Sequence, residues 1–298
     1  MPITVNSNIP SLNAQRNLGK ATQALADSFA KLSSGLRINK ASDDAAGLSI
    51  ADSLRADKRI ASVAVRNAND GISALNIADG AMNEISSLLA RMGELAEQAG
   101  NGILGTTQRT ALSKEFEALG AEIDRIAAVT EFNSKSLLQS GSITLQVGLK
   151  GNTDGKASQI TLNLKDVSAN GLSLGTYIPQ ITVGATGSTV GSGNTGTAGK
   201  SLETEDKARM ALDAVKKAVE TLAEQRGDLG AVQSRLATTV TNLNVTRENF
   251  SAAESQIRDV DVASEAAEMT RLSILQQAGA SILAQANQQP ALAVRLLG

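Results

Sequence analysis

The stretch VKKAVETLAEQRGDLGAVQSRLATTVTNLNVTRENF, residues 215–250, carries an apolar side chain at every seventh position. The recurring residues are Val215, Leu222, Leu229, Leu236, Leu243 and Phe250, with Val219 and Val232 in the alternate seam. A seven-residue apolar period is typical of coiled-coil helices, because it keeps one seam facing the same partner. We therefore expect one long helix from about Glu203 to Ser255.

A second long helix is predicted in the first half of the chain, from about Ser42 to Ala99, where no proline interrupts the pattern. Its apolar residues are spaced alternately by three and four positions, as in Leu75, Ala78, Met82, Ile85, Leu89, Met92 and Ala96. A shorter helix follows, with Leu112, Phe116, Leu119, Ile123 and Ile126. Together they predict a mainly α protein: an elongated antiparallel helical bundle or coiled coil built from both chain ends.

The middle of the chain has a different pattern. The segments ITLQV (143–147) and ITLNL (160–164) alternate apolar and polar residues, which predicts a small β-hairpin over about 143–164. After Asp166 no charged residue occurs before Lys200, and residues 184–199 are mostly Gly, Ser and Thr. Such a segment buries too little apolar area to form a core, so residues 176–200 are interpreted as a flexible, surface-exposed outer loop.

Composition excludes several classes of function. The 298 residues include no Cys and no His, which removes thiolate and imidazole metal sites, Cys–His catalysis and the zinc-protease motif H-E-x-x-H. A net charge of -2 without a basic cluster argues against nucleic-acid binding. No segment of about 20 apolar residues is present, so no membrane span is expected. We expect no cofactor and no enzyme activity.

Two short motifs that resemble functional sites have simpler interpretations. Asp43 and Asp44 precede a predicted helix, where acidic residues are favoured by the helix dipole. The glycines of 184–199 lack the Lys-Ser/Thr ending of a phosphate-binding loop. Both features are therefore interpreted as structural.

The carboxyl-terminal helix is unusual because no charged residue lies between Arg271 and Arg295. Leu272, Leu275, Gly279, Ile282 and Ala286 are expected to form one seam, and glutamine and asparagine cover much of the remaining surface. Buried amides require hydrogen-bond partners, and an uncharged helix is marginal alone in water. Two interpretations stay open: a helix docked on its own bundle, or a helix that becomes ordered when copies of the chain assemble.

Four segments resemble bacterial flagellins. They are LSSGLRINKASDDAAGLSIAD (32–52), EIDRIAAVTEFNSKSLL (122–138), TNLNVTRENFSAAESQIRDVDVASE (241–265) and AEMTRLSILQQAGASILAQANQQPALAVRLLG (267–298). The resemblance covers about 1–165 and 205–298. It implies a secreted, extracellular subunit that is exported through the flagellar type III apparatus and polymerises into the filament of the bacterial flagellum for motility. Only about 36 residues separate Leu164 from Ser201, so little more than a surface loop is expected in the outer region.

The resemblance also implies an organisation of the subunit. Residues 1–44 and 256–298 would form the inner terminal coiled-coil domain, 45–175 and 201–255 the helical shaft with its hairpin, and 176–200 the variable loop. The residues expected to support polymerisation in the inner core are Leu18, Leu25, Leu32, Leu272, Leu275, Ile282 and Gln285. A hook–filament junction protein, which has a similar inner coiled coil, is the alternative.

The same resemblance predicts partners besides other flagellin subunits. They are an export chaperone for the carboxyl-terminal region, the filament cap and the hook–filament junction proteins. Segment 88–98 is similar to the motif bound by the flagellin-sensing Toll-like receptor, with Arg91, Leu95 and Glu115 at the matching positions and Gly93 where relatives usually carry a larger polar residue. Hydroxyl groups of the outer loop are candidate sites for O-linked glycan: Thr186, Ser188, Thr189, Ser192, Thr195 and Thr197.

Overall fold

The computed structural model describes residues 8–149, 158–174 and 202–296, with side chains up to residue 288. In this part of the chain the elements are helices α1 Ile9–Ser34, α2 Ala45–Ala99 and α3 Thr106–Val129, strands β1 Glu131–Phe132, β2 Lys135–Ser136, β3 Gly141–Gln146 and β4 Gln159–Leu164, and helices α4 Glu205–Arg258 and α5 Val262–Leu296. The mainly α fold predicted from the sequence is confirmed. The predicted outer loop, 176–200, lies outside the described residues.

The chain divides into two compact units. Unit 1 comprises Met1–Arg59 and Thr246–Gly298, and unit 2 comprises Ile60–Val245. In unit 1, α1 and α5 run antiparallel, since Asn8 contacts Ala286 and Thr22 contacts Gln276. In unit 2, α2 and α4 run antiparallel, since Asp79 pairs with Arg226 and Asn76 with Gln233.

The long helices of unit 2 pack through the residues that the periodicity indicated. All seven predicted seam residues of α2 are buried, as are Val215, Leu222, Leu229, Leu236 and Leu243 of α4. The alternate seam of α4 was predicted wrongly at Val219, which is 38% exposed. Ala211, Ala218 and Gln225 are buried in that seam instead, one position earlier in the heptad. Val232 is half-buried against the core, as expected.

The predicted hairpin is also present. Strands β3 and β4 pair antiparallel from Gly141 opposite Leu164 to Gln146 opposite Gln159. Alternate residues of β4 point into the core, where Ile160, Leu162 and Leu164 are buried. Leu145 of β3 covers Gly71 of α2 so closely that an added Cβ would lie 2.2 Å from its Cδ1 atom. A glycine at this position therefore allows the hairpin to lie against the helix.

The acidic pair before α2 has the structural role that the sequence suggested. The carboxylate of Asp44 accepts a hydrogen bond from the Gly47 amide at 2.9 Å, which caps the first turn. Asp43 accepts hydrogen bonds from the amides of Lys40 and Asn39, and these bonds hold the pKa of its carboxyl below the ordinary value. The helix begins at Ala45, slightly after the predicted Ser42.

Candidate functional site

The antiparallel α1–α5 pair is held together by one narrow seam. The side chain of Leu18 packs over Gly279, where an added Cβ would lie 3.4 Å from the Leu18 Cδ1 atom. Polar bonds flank this contact: Asn8 donates to the Ala286 carbonyl at 2.8 Å, and Gln276 donates to the Thr22 hydroxyl at 3.3 Å. The pair therefore combines apolar packing with amide hydrogen bonds.

The seam of α5 differs from the prediction at two positions. Leu272 and Ala286 are buried, as expected, but Leu275 is 44% exposed and Ile282 is 58% exposed. Gln276 and Leu283, one residue further along, are half-buried in their place. Each residue turns about 100° around the helix, so a one-residue difference moves a side chain from the seam to its flank. Leu275 and Ile282 thus lie on the flank of the α1–α5 seam and are exposed in the single chain.

Helix α1 contributes the other half of the seam. Ala14 and Ser28 are buried, and the Ser28 hydroxyl has no hydrogen-bond partner among the described residues. Leu18, Leu25 and Leu32, the predicted polymerisation residues of this helix, are half-buried. They therefore use one side for α5 and keep the other side accessible.

The outward faces of α1 and α5 are apolar to an extent unusual for a surface. Large apolar side chains with exposed fractions from 44% to 65% are Ile9, Leu12, Phe29, Ile274, Leu275 and Ile282. Gln285, the remaining predicted polymerisation residue, is exposed together with Gln277 and Gln288. Several large apolar side chains exposed on two paired helices favour an interaction site there.

The connections α1–α2 and α4–α5 are bonded to each other. Gly35 ends α1 in the left-handed conformation at φ 71°. The Arg37 amide donates to the Arg258 carbonyl at 2.6 Å, and the Val260 amide donates to the Gly35 carbonyl at 3.0 Å. We call this pair of backbone hydrogen bonds between the two connections the joint. The sequence did not predict the joint, because backbone pairing between distant turns has no side-chain signature.

A charged cluster lies beside the joint. Glu254 accepts hydrogen bonds from Lys58 at 2.8 Å and from Arg55 at 3.0 Å. These bonds hold the pKa of its carboxyl below the ordinary value. Arg258 pairs with Asp52 at 3.3 Å. The amino-terminal and carboxyl-terminal parts of unit 1 are therefore joined by ion pairs as well as by backbone bonds.

The receptor-like motif is divided between surface and core. Arg91 donates to Glu115 at 3.1 and 2.9 Å and to Glu94 at 2.8 Å, and both partners of the Arg91–Glu115 pair are exposed. Hydrogen bonds from Glu94 and Glu115 raise the pKa of the Arg91 guanidinium. Leu95, in contrast, is only 1% exposed in the single chain, and its contact with a receptor stays a prediction. At Gly93 a Cβ would lie 3.7 Å from Val215, which is an ordinary contact.

The six candidate glycosylation residues, Thr186, Ser188, Thr189, Ser192, Thr195 and Thr197, lie outside the described residues. In the described part of the chain, none of the helices combines the length and the hydrophobicity that a membrane span requires.

Terminal helices that pair with each other and still expose large apolar side chains indicate a protein that associates with other protein chains. Two family models match the sequence: the bacterial flagellin N-terminal helical region over residues 5–142, and the bacterial flagellin C-terminal helical region over 212–297. The chain belongs to the bacterial flagellin family.

Two relatives agree with this assignment, and one solved structure is similar. The chain is 40% identical to a flagellin of Halalkalibacterium halodurans, over 98% of this chain and 99% of the relative. It is 37% identical to the flagellar filament 33 kDa core protein of Treponema phagedenis, over 95% and 96% of the two chains. The crystal structure of Bacillus cereus flagellin is similar with a TM-score of 0.46 at 28% identity, covering 60% of this chain and 88% of that one.

These similarities establish the general role. The protein is a structural subunit of the bacterial flagellum, and its place is the extracellular filament. The relatives are flagellins and a filament core protein, which favours the filament subunit over the hook–filament junction protein.

Proposed function

We propose that copies of this chain pack in the filament through the outward faces of α1 and α5. The contributing residues on these faces are Leu18, Leu25, Leu32, Leu275, Ile282 and Gln285, and the buried Leu272 supports them from within the α1–α5 seam. In this proposal residues 1–44 and 256–298 form the inner layer, 45–175 and 201–255 the surrounding shaft, and 176–200 the outer surface. The observation that carries it is the exposure of Leu275 and Ile282 on a helix that has no charged residue between Arg271 and Arg295.

The energetics favour burial of these faces between copies. Full burial of one leucine or isoleucine side chain contributes about 1.5–3 kcal/mol. The neighbouring glutamines supply amide donors and acceptors, which must be paired when water is excluded. Identical helices offer both the apolar contact and the amide partners. Contacts between non-matching surfaces of identical subunits produce an open helical filament when the rotation between successive subunits does not close into a ring.

The proposal also includes the partners that the chain would meet before and during filament growth. The chain would act without catalysis, leave the cell through the flagellar export apparatus, and bind a chaperone through its carboxyl-terminal region before export. At the growing end it would contact the filament cap, and at the base the hook–filament junction proteins. The uncharged carboxyl-terminal segment supports these roles, since it needs a protein partner at each stage.

Replacing Leu275 or Ile282 with glutamine is expected to raise the critical concentration for seeded filament growth about 10- to 30-fold. Each change removes about 1.4–2 kcal/mol of apolar burial per added subunit, and 1.4 kcal/mol corresponds to a factor of ten. Growth on short filament fragments, followed by sedimentation and electron microscopy, measures this quantity. The control is Ser264→Ala, an exposed position near the start of the same helix and outside its uncharged segment. Equal critical concentrations for all variants would reject the proposed surface.

A second candidate role, recognition by the flagellin-sensing Toll-like receptor, is supported by the exposed Arg91–Glu115 pair. Arg91→Ala is expected to lower the response to monomer at least tenfold in a receptor reporter assay, because a charge-assisted contact that becomes buried on binding is lost. Arg125→Ala serves as the control, since Arg125 is also exposed and paired with a glutamate of α3. A response that the Arg91 change leaves intact would reject this role.

A further inference from the structure

The chain contains two Asn-Gly dipeptides, Asn101–Gly102 between α2 and α3 and Asn170–Gly171 after β4. All four residues are exposed. Each asparagine also begins a turn, in which its carbonyl accepts a hydrogen bond from the amide three residues later, at 3.2 Å for Asn101 and 3.0 Å for Asn170. The two dipeptides thus share sequence, exposure and turn closure, and only their other hydrogen bonds distinguish them.

The first dipeptide has a fixed asparagine side chain and a free glycine amide. The Oδ1 atom of Asn101 accepts a hydrogen bond from the Ile103 amide at 3.1 Å. This bond defines an Asx turn, which folds the asparagine side chain back along the following residues. The Gly102 nitrogen donates no hydrogen bond to any residue that the structure describes. A free amide nitrogen therefore follows directly after a side-chain carbonyl whose oxygen is already held by a donor.

The second dipeptide has an engaged glycine amide. The Gly171 nitrogen donates a hydrogen bond to the Ser168 hydroxyl at 3.2 Å. Gly171 also lies directly against the main chain of Asp166, so closely that an added Cβ would overlap the Asp166 carbonyl. The Gly171 nitrogen can therefore approach the Asn170 side chain only if its bond to Ser168 breaks and the turn moves.

We propose that Asn101 is a site of deamidation and that Asn170 is protected from the same reaction. The Gly102 nitrogen attacks the Cγ atom of Asn101, and the side-chain nitrogen leaves as ammonia, which takes up the proton lost by the Gly102 amide. The product is a five-membered succinimide. During the attack negative charge develops on Oδ1, where the Ile103 amide already donates a hydrogen bond that stabilises it. Water then opens the ring at either carbonyl carbon and gives aspartate or isoaspartate.

Isoaspartate at position 101 would change the contacts of Arg109. In isoaspartate the main chain runs through Cγ, and the former main-chain carbonyl of Asn101 becomes a free carboxylate. That carbonyl accepts a hydrogen bond from the Arg109 Nη2 atom at 3.0 Å, and the same nitrogen donates to Glu205 at 3.0 Å. The new carboxylate therefore competes with Glu205, the first residue of α4, for one guanidinium group. Deamidation thus acts at the place where the end of α2, the start of α3 and the start of α4 are bonded to each other.

Peptide mapping of the full-length chain, incubated at neutral pH and sampled over time, tests the proposal. Trypsin cleaves after Arg91 and Arg109, so Asn101 and Asn170 are recovered in different peptides. The expected result is a gain of about 1 Da at Asn101, since an amide NH2 is replaced by OH, with the product divided between aspartate and isoaspartate. Conversion at Asn170 should be about tenfold slower, because its neighbouring amide must first leave Ser168.

Two variants test the role of the glycine amides. Gly102→Ala keeps the fold, since the φ angle of Gly102 is not left-handed and the added Cβ lies 3.0 Å from the Glu205 carboxylate, which is 41% exposed and can move. A side chain at position 102 hinders the approach of its nitrogen, so conversion at Asn101 should slow about tenfold. Ser168→Ala frees the Gly171 amide and should speed conversion at Asn170.

Three results would overturn the proposal: equal rates at the two asparagines, aspartate without isoaspartate at Asn101, or a rate at Asn101 that Gly102→Ala leaves unchanged. The same incubation in urea gives the rate of the unfolded chain. Conversion at Asn101 that occurs only in urea would show that the fold protects this site, which would also overturn the proposal.

Discussion

Gly279→Leu is expected to abolish filament growth at concentrations that support the unmodified chain, whereas Gly279→Ala is expected to preserve it. Gly279 faces Leu18 across the α1–α5 seam, and a Cβ alone would lie 3.4 Å from the Leu18 Cδ1 atom and 3.9 Å from its Cα atom. An alanine therefore fits in ordinary contact. The branched end of a leucine would overlap Leu18 and force α1 away from α5.

The expected magnitudes follow from packing costs. Overpacking a well-filled seam typically costs about 1–3 kcal/mol. Since 1.4 kcal/mol is a tenfold change in an equilibrium constant, the critical concentration should rise up to about 100-fold. Alanine in place of glycine in a helix interior contributes up to about 1 kcal/mol in the stabilising direction. The critical concentration should therefore stay the same or fall with alanine at position 279 and rise with leucine.

Seeded growth and sedimentation measure the two critical concentrations, and thermal unfolding checks that unit 2 is unchanged. The opposite direction of the two changes in critical concentration is decisive. A general loss of helix stability would shift the critical concentration of the alanine and leucine variants in the same direction. If both variants assembled like the original chain, the α1–α5 pair of this structure would not be the arrangement that polymerises.

The sequence predicted the parts of the fold that depend on regular spacing. The seam of α2 from Leu75 to Ala96 was located residue by residue, because large apolar side chains at three- and four-residue steps fall on one face of a helix and must be buried together. The hairpin was also located, since alternation in 143–147 and 160–164 has the strand period. The alternate seam of α4 was predicted one residue away from its position in the structure. Ala218 and Val219 both fit an apolar seven-residue period, and the sequence alone does not tell which of them is buried.

The candidate site was predicted less completely. The sequence placed Leu275 and Ile282 in one seam of α5 with Leu272 and Ala286. In the structure Gln276 and Leu283 are half-buried in their place, and the Gln276 amide donates a hydrogen bond to the Thr22 hydroxyl. Leu95 was placed on a recognition surface, although it is buried. A motif gives the order of residues along a helix but not the direction in which each side chain points.

Arg109 makes contacts that sequence patterns do not reveal. Its replacement is the second change for which we expect a large effect, here on the stability of unit 2. It lies in the first turns of α3, where an arginine would ordinarily be solvated, yet it is 9% exposed. Its guanidinium donates to the Ala99 carbonyl at the end of α2, to the Asn101 carbonyl in the following turn and to Glu205 at the start of α4, each at 3.0 Å. One side chain thus joins three helices of unit 2.

Arg109→Ala is expected to lower the free energy of unfolding of unit 2 by about 3 kcal/mol. The buried Ala99 carbonyl loses its partner, and an unpaired buried polar group costs about 1–3 kcal/mol. Asn101 is exposed, so its carbonyl can bind water instead. Removing one member of a buried ion pair has a similar cost of about 3–5 kcal/mol. Glu205 is 41% exposed and can be resolvated, which keeps the expected total near the lower value. For domains of this size, 3 kcal/mol corresponds to a decrease of about 6–12 °C in Tm.

Arg125→Ala is the matched comparison, because Arg125 lies on the same helix and also pairs with a glutamate, but its side chain is 56% exposed. Exposed pairs contribute about 0–1 kcal/mol, so its Tm should change by less than about 4 °C. Arg109→Lys should fall between the two, since an ammonium keeps the charge beside Glu205 but lacks the planar fork that reaches both carbonyls. Calorimetry on the three variants measures the order. Equal losses for Arg109→Ala and Arg125→Ala would mean that the ion pairs, and not the bonds from Arg109 to the helix carbonyls, hold this end of unit 2 together.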